Sequence, residues 1–110
     1  MIPPPLGIRA VGDHRMAYVY LLRSLRSGGL YLGWTTDLRR RLCQHNEGAS
    51  RATRGRGPYE LLYYEAYRHS AEAMAREQSL KKHPNVVKQL KQRLAKTLAM
   101  ASALSQEVVG

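Results

Sequence analysis

Residue types able to act on a phosphodiester bond occur at intervals between positions 20 and 77. Tyr20 and Tyr31 lie in two short apolar runs, YVY and YLG, on either side of a glycine-containing turn. Arg41 and His45 follow one helical turn apart, and Glu77 lies further along the chain. Two phenols, a guanidinium, an imidazole and a carboxylate could together bind a phosphate, move a proton and hold a metal ion.

The two tyrosines are predicted to lie in a β-hairpin. Residues 17–22 form an apolar run without polar alternation, which is typical of a strand covered on both faces and therefore central in its sheet. Residues 27–29 (SGG) tolerate positive φ, and residues 30–33 return as a second strand. Residues 60–67 are short and rich in aromatics, which favours a third strand. The hairpin should bring Tyr20 and Tyr31 near each other.

The first predicted helix carries the arginine and the histidine. Thr35 or Thr36 can accept the free N–H groups at its start, and the helix should run to about residue 46 and stop at Gly48. On a helical wheel Arg41 and His45 lie on the apolar side. Arg39 and Arg40 fall on other sides, so a solvent or phosphate contact suits Arg40 better.

Two further helices are predicted towards the C-terminus. Ser70 caps the second helix, which must end near His83 because Pro84 disfavours the helical conformation in the residue before it. Asn85 caps the third helix, whose apolar residues recur at four-residue steps up to Leu98.

Glu77 falls inside the apolar stripe of the second helix, beside Ala73 and Leu80 on the wheel. Burying an unpaired carboxylate is costly, so this position requires a compensating cation. A metal ion and an arginine such as Arg41 are both open as partners of Glu77. For Tyr20, Tyr31 and His45, taken singly, ordinary core packing also remains an alternative.

Charge and composition indicate the class of partner. The chain has 110 residues, with 18 Lys and Arg against 8 Asp and Glu, a net charge of +10 and a pI near 10.3. A polyanion, most simply nucleic acid, is the expected partner, and an anionic membrane is the lesser alternative. The basic loop at 48–58 should lie outside the core. The expected phosphate contacts are Arg40, Arg51, Arg54, Arg56, Lys81 and Lys82.

Cysteine usage and length suggest a single reduced domain. Cys43 is the lone cysteine, and the four histidines have no zinc-type spacing with it. We therefore expect a cytoplasmic protein without structural zinc, and no apolar run is long enough to span a membrane. Residues 1–15 hold three successive prolines and are predicted to form an irregular arm, residues 16–98 the domain, and residues 99–110 a tail.

Taken in order, residues 17–82 resemble the GIY-YIG nuclease superfamily, in particular its small standalone members. The family's two tripeptides correspond to YVY ending at Tyr20 and YLG beginning at Tyr31, and its helix residues to Arg41 and His45. Its metal-binding glutamate corresponds to Glu77. Tyr18 departs from the usual glycine, and Trp34 stands where some relatives have lysine.

The resemblance implies an α/β (α+β) fold with a small, mostly antiparallel three-stranded sheet flanked by helices, in the order β-β-α-β-α-α. It also implies metal-dependent hydrolysis of DNA phosphodiester bonds, with Mg²⁺ or Mn²⁺ held by Glu77 and a possible setting in repair or recombination. Arg41 would neutralise phosphoryl charge and Tyr31 would position phosphate or water.

Tyr20 would activate the attacking water, which requires nearby positive charge to favour phenolate, or His45 would act as base or relay. Two other functions remain open: a non-catalytic basic nucleic-acid-binding module and an RNA- or ribosome-associated factor. The sequence leaves the substrate structure and the oligomeric state undetermined.

Overall fold

The element order follows the prediction. The structure, a computed structural model, describes residues 15–100. Nearly all of the predicted arm (1–15) and tail (99–110) lies outside these residues, so the division into arm, domain and tail stays a prediction. The elements are β1 (Ala17–Ser24), β2 (Leu30–Thr35), α1 (Leu38–Asn46), β3 (Tyr59–Tyr67), α2 (Ser70–Lys82) and α3 (Pro84–Arg93).

The three strands form an antiparallel sheet in the order β2-β1-β3, so β1 is central as predicted. Seven of its eight residues are buried, which explains why its apolar run lacks polar alternation. Tyr20 pairs with Gly33, and Tyr31 pairs with Leu22 two positions further along β1. Because side chains alternate along a strand and paired residues share a face, Tyr20 and Tyr31 project from the same side of the sheet.

Helices cover both faces of the sheet. The cluster on the α1 side contains Tyr18, Tyr20, Leu22, Leu38 and Tyr59, and the cluster on the side of α2 and α3 contains Ala17, Val19, Ala73, Leu80 and Leu90. The alternating residues of β1 therefore divide between two apolar layers. The predicted α/β architecture is confirmed.

The predicted cap of α1 is wrong. Asp37 is the N-cap, and its Oδ1 accepts the backbone N–H of Arg40 at 3.1 Å. Thr35 instead accepts the N–H of Asp37 on its hydroxyl at 3.1 Å, and Thr36 is exposed. The carboxylate therefore caps the helix from the position directly before it, rather than adding charge inside the first turn.

The predicted caps of α2 and α3 are also wrong. The structure gives His69 as the N-cap of α2 without a side-chain hydrogen bond, and Ser70 is already helical. Helix α3 begins at Pro84, so Asn85 lies inside its first turn. Proline suits this first position because its φ is preset and the missing N–H would have had no helical partner.

The basic loop after α1 is partly buried, contrary to the prediction. Gly48 has φ +77°, which ends α1 at the predicted place, and the chain then folds back towards the helix. Ser50 and Thr53 are 5% and 1% exposed. Their hydroxyls contact Arg41 and His45, and these hydrogen bonds make the burial of two polar residues tolerable.

An ion pair fastens α2 to the sheet. Arg76 donates two hydrogen bonds to the carboxylate of Glu65 on β3, at 2.9 and 3.0 Å. Tyr63 and Tyr67 donate to the same carboxylate. Burial raises the pKa of Glu65, but the bonds from Arg76, Tyr67 and Tyr63 outweigh it and leave that pKa below its usual value. This contact sets the rotation of α2 and thereby the direction of the next residue, Glu77.

Candidate active site

Tyr20 and Gly33 form a close contact at the centre of the candidate site. Tyr20 is 1% exposed, and its ring lies directly against its cross-strand partner Gly33. A Cβ at position 33 would come within 2.5 Å of the Tyr20 hydroxyl oxygen and 3.2 Å of Tyr31 Cε2. Glycine is therefore required at position 33 because the Tyr20 side chain occupies the space that a methyl group would fill.

The hydroxyl of Tyr20 links β1 to α1. It is 2.8 Å from His45 Nε2, and Arg41 Nε donates to it at 3.4 Å. The ring of Tyr31 lies 4.9 Å from that of His45 and 6.3 Å from that of Tyr20, measured between centroids. Four of the five sequence-predicted catalytic side chains are thus brought into one cluster.

Arg41 is held in place by its own helix and by the basic loop. Its Nη1 donates to Gln44 Oε1 at 2.9 Å, and its Nη2 donates to Ser50 Oγ at 3.4 Å. The hydrogen bond to Tyr20 raises the pKa of Arg41 and outweighs the opposing effect of burial. A fixed, charged guanidinium therefore lies beside the Tyr20 hydroxyl, whereas Arg40 points into solvent as the helical wheel predicted.

His45 lies in the interior between Tyr20 and the basic loop. It is 1% exposed, and its Nδ1 is 2.7 Å from Thr53 Oγ1. Burial, together with the nearby charge of Arg41, lowers the pKa of His45 to about 4. The imidazole is therefore neutral near pH 7, with one nitrogen donating a hydrogen bond and the other accepting one.

Tyr20 is a neutral phenol in this structure. Burial raises the pKa of Tyr20 to about 12, although its hydrogen bond from Arg41 acts in the opposite direction. The protein's own positive groups are thus insufficient to stabilise a Tyr20 phenolate. A neutral phenol can accept a proton only if it gives up its own, and His45 Nε2 is in hydrogen-bonding contact with the Tyr20 hydroxyl.

Glu77 lies at the other side of the cluster, on α2. Its carboxylate contacts the ammonium group of Lys81 at 3.2 Å, and its side chain is 15% exposed. Lys81 Nζ is also 5.9 Å from the centroid of the Tyr31 ring. The negative charge of Glu77 contributes to the raised pKa of Tyr20. The sequence left a metal ion and an arginine open as partners of Glu77, and in the structure its ion-pair partner is Lys81 instead of an arginine.

The donor set around Glu77 suits a magnesium-type ion. Within residues 15–100 no group of three or more His, Cys, Asp or Glu side chains could hold a metal ion. Mg²⁺ needs only one or two protein carboxylates, since water and substrate phosphates complete its shell. The partly accessible carboxylate of Glu77 could supply one such ligand if the half-exposed side chain of Lys81 moved away from it.

The predicted phosphate-binding residues lie around the cluster rather than inside it. Exposed positions are occupied by Arg40, Arg51, Arg54, Arg56, Lys81 and Lys82. Arg54 Nε donates to the carbonyl of Gly48 at 3.0 Å, which stiffens the loop. Among the described helices, none is long and apolar enough to cross a membrane.

Three polar residues of the site were not predicted from the sequence: Gln44, Ser50 and Thr53. Gln44 lies one turn from Arg41 on α1 and could have been inferred from that spacing. Ser50 and Thr53 lie in a loop whose composition suggested full exposure. The only sequence feature that points to Ser50 and Thr53 is that their hydroxyl side chains interrupt a run of glycine, alanine and arginine.

Comparisons with known proteins identify the family. The family model of the GIY-YIG catalytic domain, a nuclease domain, matches residues 16–92. The UPF0213 protein CPE1444 of Clostridium perfringens is 44% identical over 68 residues, 61% of this chain and 72% of the relative. A UPF0213 protein of Streptococcus pneumoniae serotype 4 is 45% identical over 71 residues, 64% and 70% of the two chains.

A solution NMR structure is also similar in sequence. It is that of the UPF0213 protein BH0048 from Bacillus halodurans, 36% identical, with a TM-score of 0.44, covering 72% of this chain and 84% of that one. The family model alone spans well over half of the 110 residues. The chain therefore belongs to the GIY-YIG catalytic domain family, and its relatives are UPF0213 proteins.

Proposed function

We propose that this protein is a metal-dependent endonuclease that hydrolyses phosphodiester bonds in DNA. The observation that carries the proposal is the buried hydrogen bond between Tyr20 and His45, 2.8 Å long, with the guanidinium of Arg41 beside it. A basic binding module would gain little from burying a phenol–imidazole pair next to a cation. A net charge of +10 supports a polyanionic substrate.

Arg41 and Tyr31 would bind the scissile phosphate. The planar guanidinium of Arg41 is held by Gln44 and Ser50, so it can neutralise developing charge without reorganising. Tyr31 lies at the edge strand β2, between the ring of His45 and the ammonium of Lys81. Its hydroxyl is suited to positioning a phosphate oxygen or the attacking water.

Tyr20 and His45 would carry the proton of that water. As the water oxygen bonds to phosphorus, its proton passes to Tyr20 Oη while the phenol proton passes to His45 Nε2, and the bond to the leaving oxygen breaks. The pKa of His45, lowered to about 4, keeps the imidazole neutral, so Nε2 has a lone pair for the proton. The negative charge of the bound phosphate would have to stabilise the imidazolium that forms. The protein uses a phenol–imidazole relay because the raised pKa of Tyr20 disfavours a standing phenolate.

Glu77 would hold the divalent metal ion, Mg²⁺ or Mn²⁺. When bound, the ion supplies positive charge that polarises the phosphate and stabilises the leaving oxygen. The surrounding contacts to the DNA backbone would come from Arg40, Arg51, Arg54, Arg56, Lys81 and Lys82. A role in repair or recombination and a cytoplasmic location belong to the same proposal.

Cleavage by Glu77→Gln tests the proposal, with Glu72→Gln as the matched control. Glu72 lies on the same helix but is exposed in its first turn. Branched, nicked, single-stranded and duplex DNA would be incubated with Mg²⁺ or Mn²⁺. The wild type and Glu72→Gln should cut at least one substrate, and Glu77→Gln should not.

Thermal unfolding of the same samples separates a metal ligand from a structural ion pair. Because Lys81 is about half exposed, the Glu77–Lys81 pair contributes only ~0.3–0.5 kcal/mol. Glu77→Gln should therefore unfold close to the wild-type temperature. A Glu77→Gln protein that still cuts DNA at the wild-type rate would refute the assignment of Glu77, and a wild type that cuts no substrate would refute the nuclease function.

A further inference from the structure

The hydroxyl of Thr53 closes a chain of hydrogen bonds that begins at Arg41. Arg41 Nε donates to the Tyr20 hydroxyl, which contacts His45 Nε2, and His45 Nδ1 in turn contacts Thr53 Oγ1. Both Thr53 and His45 are 1% exposed. The 2.7 Å distance between His45 and Thr53 is close to the 2.8 Å distance between His45 and Tyr20, although Thr53 lies outside the motifs that carry the family resemblance.

The direction of these bonds follows from the one member that can only donate. The guanidinium of Arg41 has no acceptor, so it occupies a lone pair of the Tyr20 oxygen. The Tyr20 proton must then point elsewhere, and within residues 15–100 His45 Nε2 is the acceptor in contact with it. A neutral imidazole that accepts at Nε2 carries its proton on Nδ1 and donates it to Thr53.

We propose that Thr53 is a positioning residue that holds His45 as the Nδ1-protonated tautomer and thereby aims Nε2 at the hydroxyl of Tyr20. The opposite tautomer would make Tyr20 accept from both Arg41 and His45 and would leave Nε2 unable to take a proton. Arg41 sets the direction of the chain of hydrogen bonds, and Thr53 supplies the acceptor without which the Nδ1 proton would be buried and unsatisfied.

The backbone around Thr53 holds the hydroxyl in the required place. Its N–H donates to the carbonyl of Ser50 at 3.2 Å, and its carbonyl accepts from the N–H of Arg56 at 3.2 Å. The hydroxyl of Tyr59 also reaches that carbonyl, at 3.5 Å. The loop that presents the basic side chains therefore also orients the buried histidine.

Thr53→Val tests the role because valine keeps the shape of threonine but cannot accept the Nδ1 proton. Thr53→Ser restores the hydroxyl, and Thr36→Val makes the same change at an exposed threonine. Nitrogen-15 NMR of the His45 ring identifies the protonated nitrogen directly. Wild type and Thr53→Ser should carry the proton on Nδ1, and Thr53→Val should shift it partly or wholly to Nε2.

The kinetic effect should fall on turnover. This kinetic part of the test rests on the proposed nuclease function, whereas the NMR part does not. With Thr53→Val, kcat should fall about 10- to 100-fold, the size known for metal-bound histidines that lose the partner orienting them. KM should stay near the wild-type value because Thr53 does not reach the DNA-binding surface. Thr53→Ser should regain most of the turnover, and Thr36→Val should behave as wild type.

The outcomes separate this inference from the proposed function. A wild-type His45 protonated on Nε2 would overturn the inference even if Thr53→Val fails to fold. Unchanged kcat in a folded Thr53→Val protein would also overturn it. If the wild type has the Nδ1 tautomer, Thr53→Val shifts it and no DNA is cleaved, the positioning role stands and the nuclease function is refuted.

Discussion

Gly33→Ala tests the packing that holds the candidate site together. The new methyl carbon would lie 2.5 Å from the Tyr20 hydroxyl oxygen and 2.7 Å from its Cζ. Ordinary contacts begin near 3.4 Å, so the oxygen would have to retreat by about 3.4 − 2.5 = 0.9 Å. Tyr20 is 1% exposed and in contact with His45, so no space is available for that movement.

The expected cost combines overpacking with a weakened buried hydrogen bond, in total about 2–4 kcal/mol. For a domain of this size the melting temperature falls by ~4–8 °C per kcal/mol. Thermal unfolding would be compared with Gly29→Ala, in the exposed turn of the same hairpin, where the new carbon meets only the flexible Ser27 side chain. Gly29→Ala should unfold near the wild-type temperature.

A double-mutant cycle assigns the cost to the Tyr20 contact. When Tyr20→Ala has already removed the ring, Gly33→Ala should cost almost nothing, so the two changes should be strongly non-additive. Cleavage by Gly33→Ala should also be lost, because the Tyr20 hydroxyl can no longer keep its position against His45. The same destabilisation in both backgrounds, or a fully stable and active Gly33→Ala, would refute this account of the site.

The remaining predictions concern charge. Arg41→Ala should abolish cleavage while retaining most DNA affinity, whereas Arg40→Ala should weaken binding modestly and spare turnover. Equal losses of single-turnover rate would contradict the placement of the two residues on different sides of α1. Arg51, Arg54 and Arg56 would be changed together to alanine. The slope of log affinity against log salt should then become shallower by up to ~0.9 per lost phosphate contact, and an unchanged slope would exclude the loop from the interface. Because the pKa of His45 falls from 6.5 to about 4 on folding, the unfolded chain binds an extra proton in that window, so stability should decline as pH falls from 6.5 towards 4. His45→Gln should remove much of that decline and the exposed His69→Gln should not; identical pH profiles of stability for wild type and His45→Gln would rule out a buried neutral histidine.

Much of the fold could be predicted because it depends on local periodicity. An apolar run without alternation placed β1 at the centre of the sheet, since only a strand covered on both faces needs such a run. Helical spacing placed Arg41 and His45 on the inner side of α1 and left Arg40 outside. The predicted helix ends were less accurate. Thr35, Thr36 and Asp37 can all cap a helix, and the one that does so depends on where the chain bends into α1, which is at Asp37.

The tertiary structure decided the chemistry of the site. Composition made the loop after α1 look exposed, yet its path buries Thr53 against His45, eight residues earlier in the chain. Strand register alone places the Tyr20 ring over Gly33 and makes that glycine necessary. Burial then leaves Tyr20 and His45 neutral, because desolvation depends on everything packed around a group. Residue types and spacing determined which side chains could take part, whereas their protonation and partners arise from contacts between segments that no local pattern encodes.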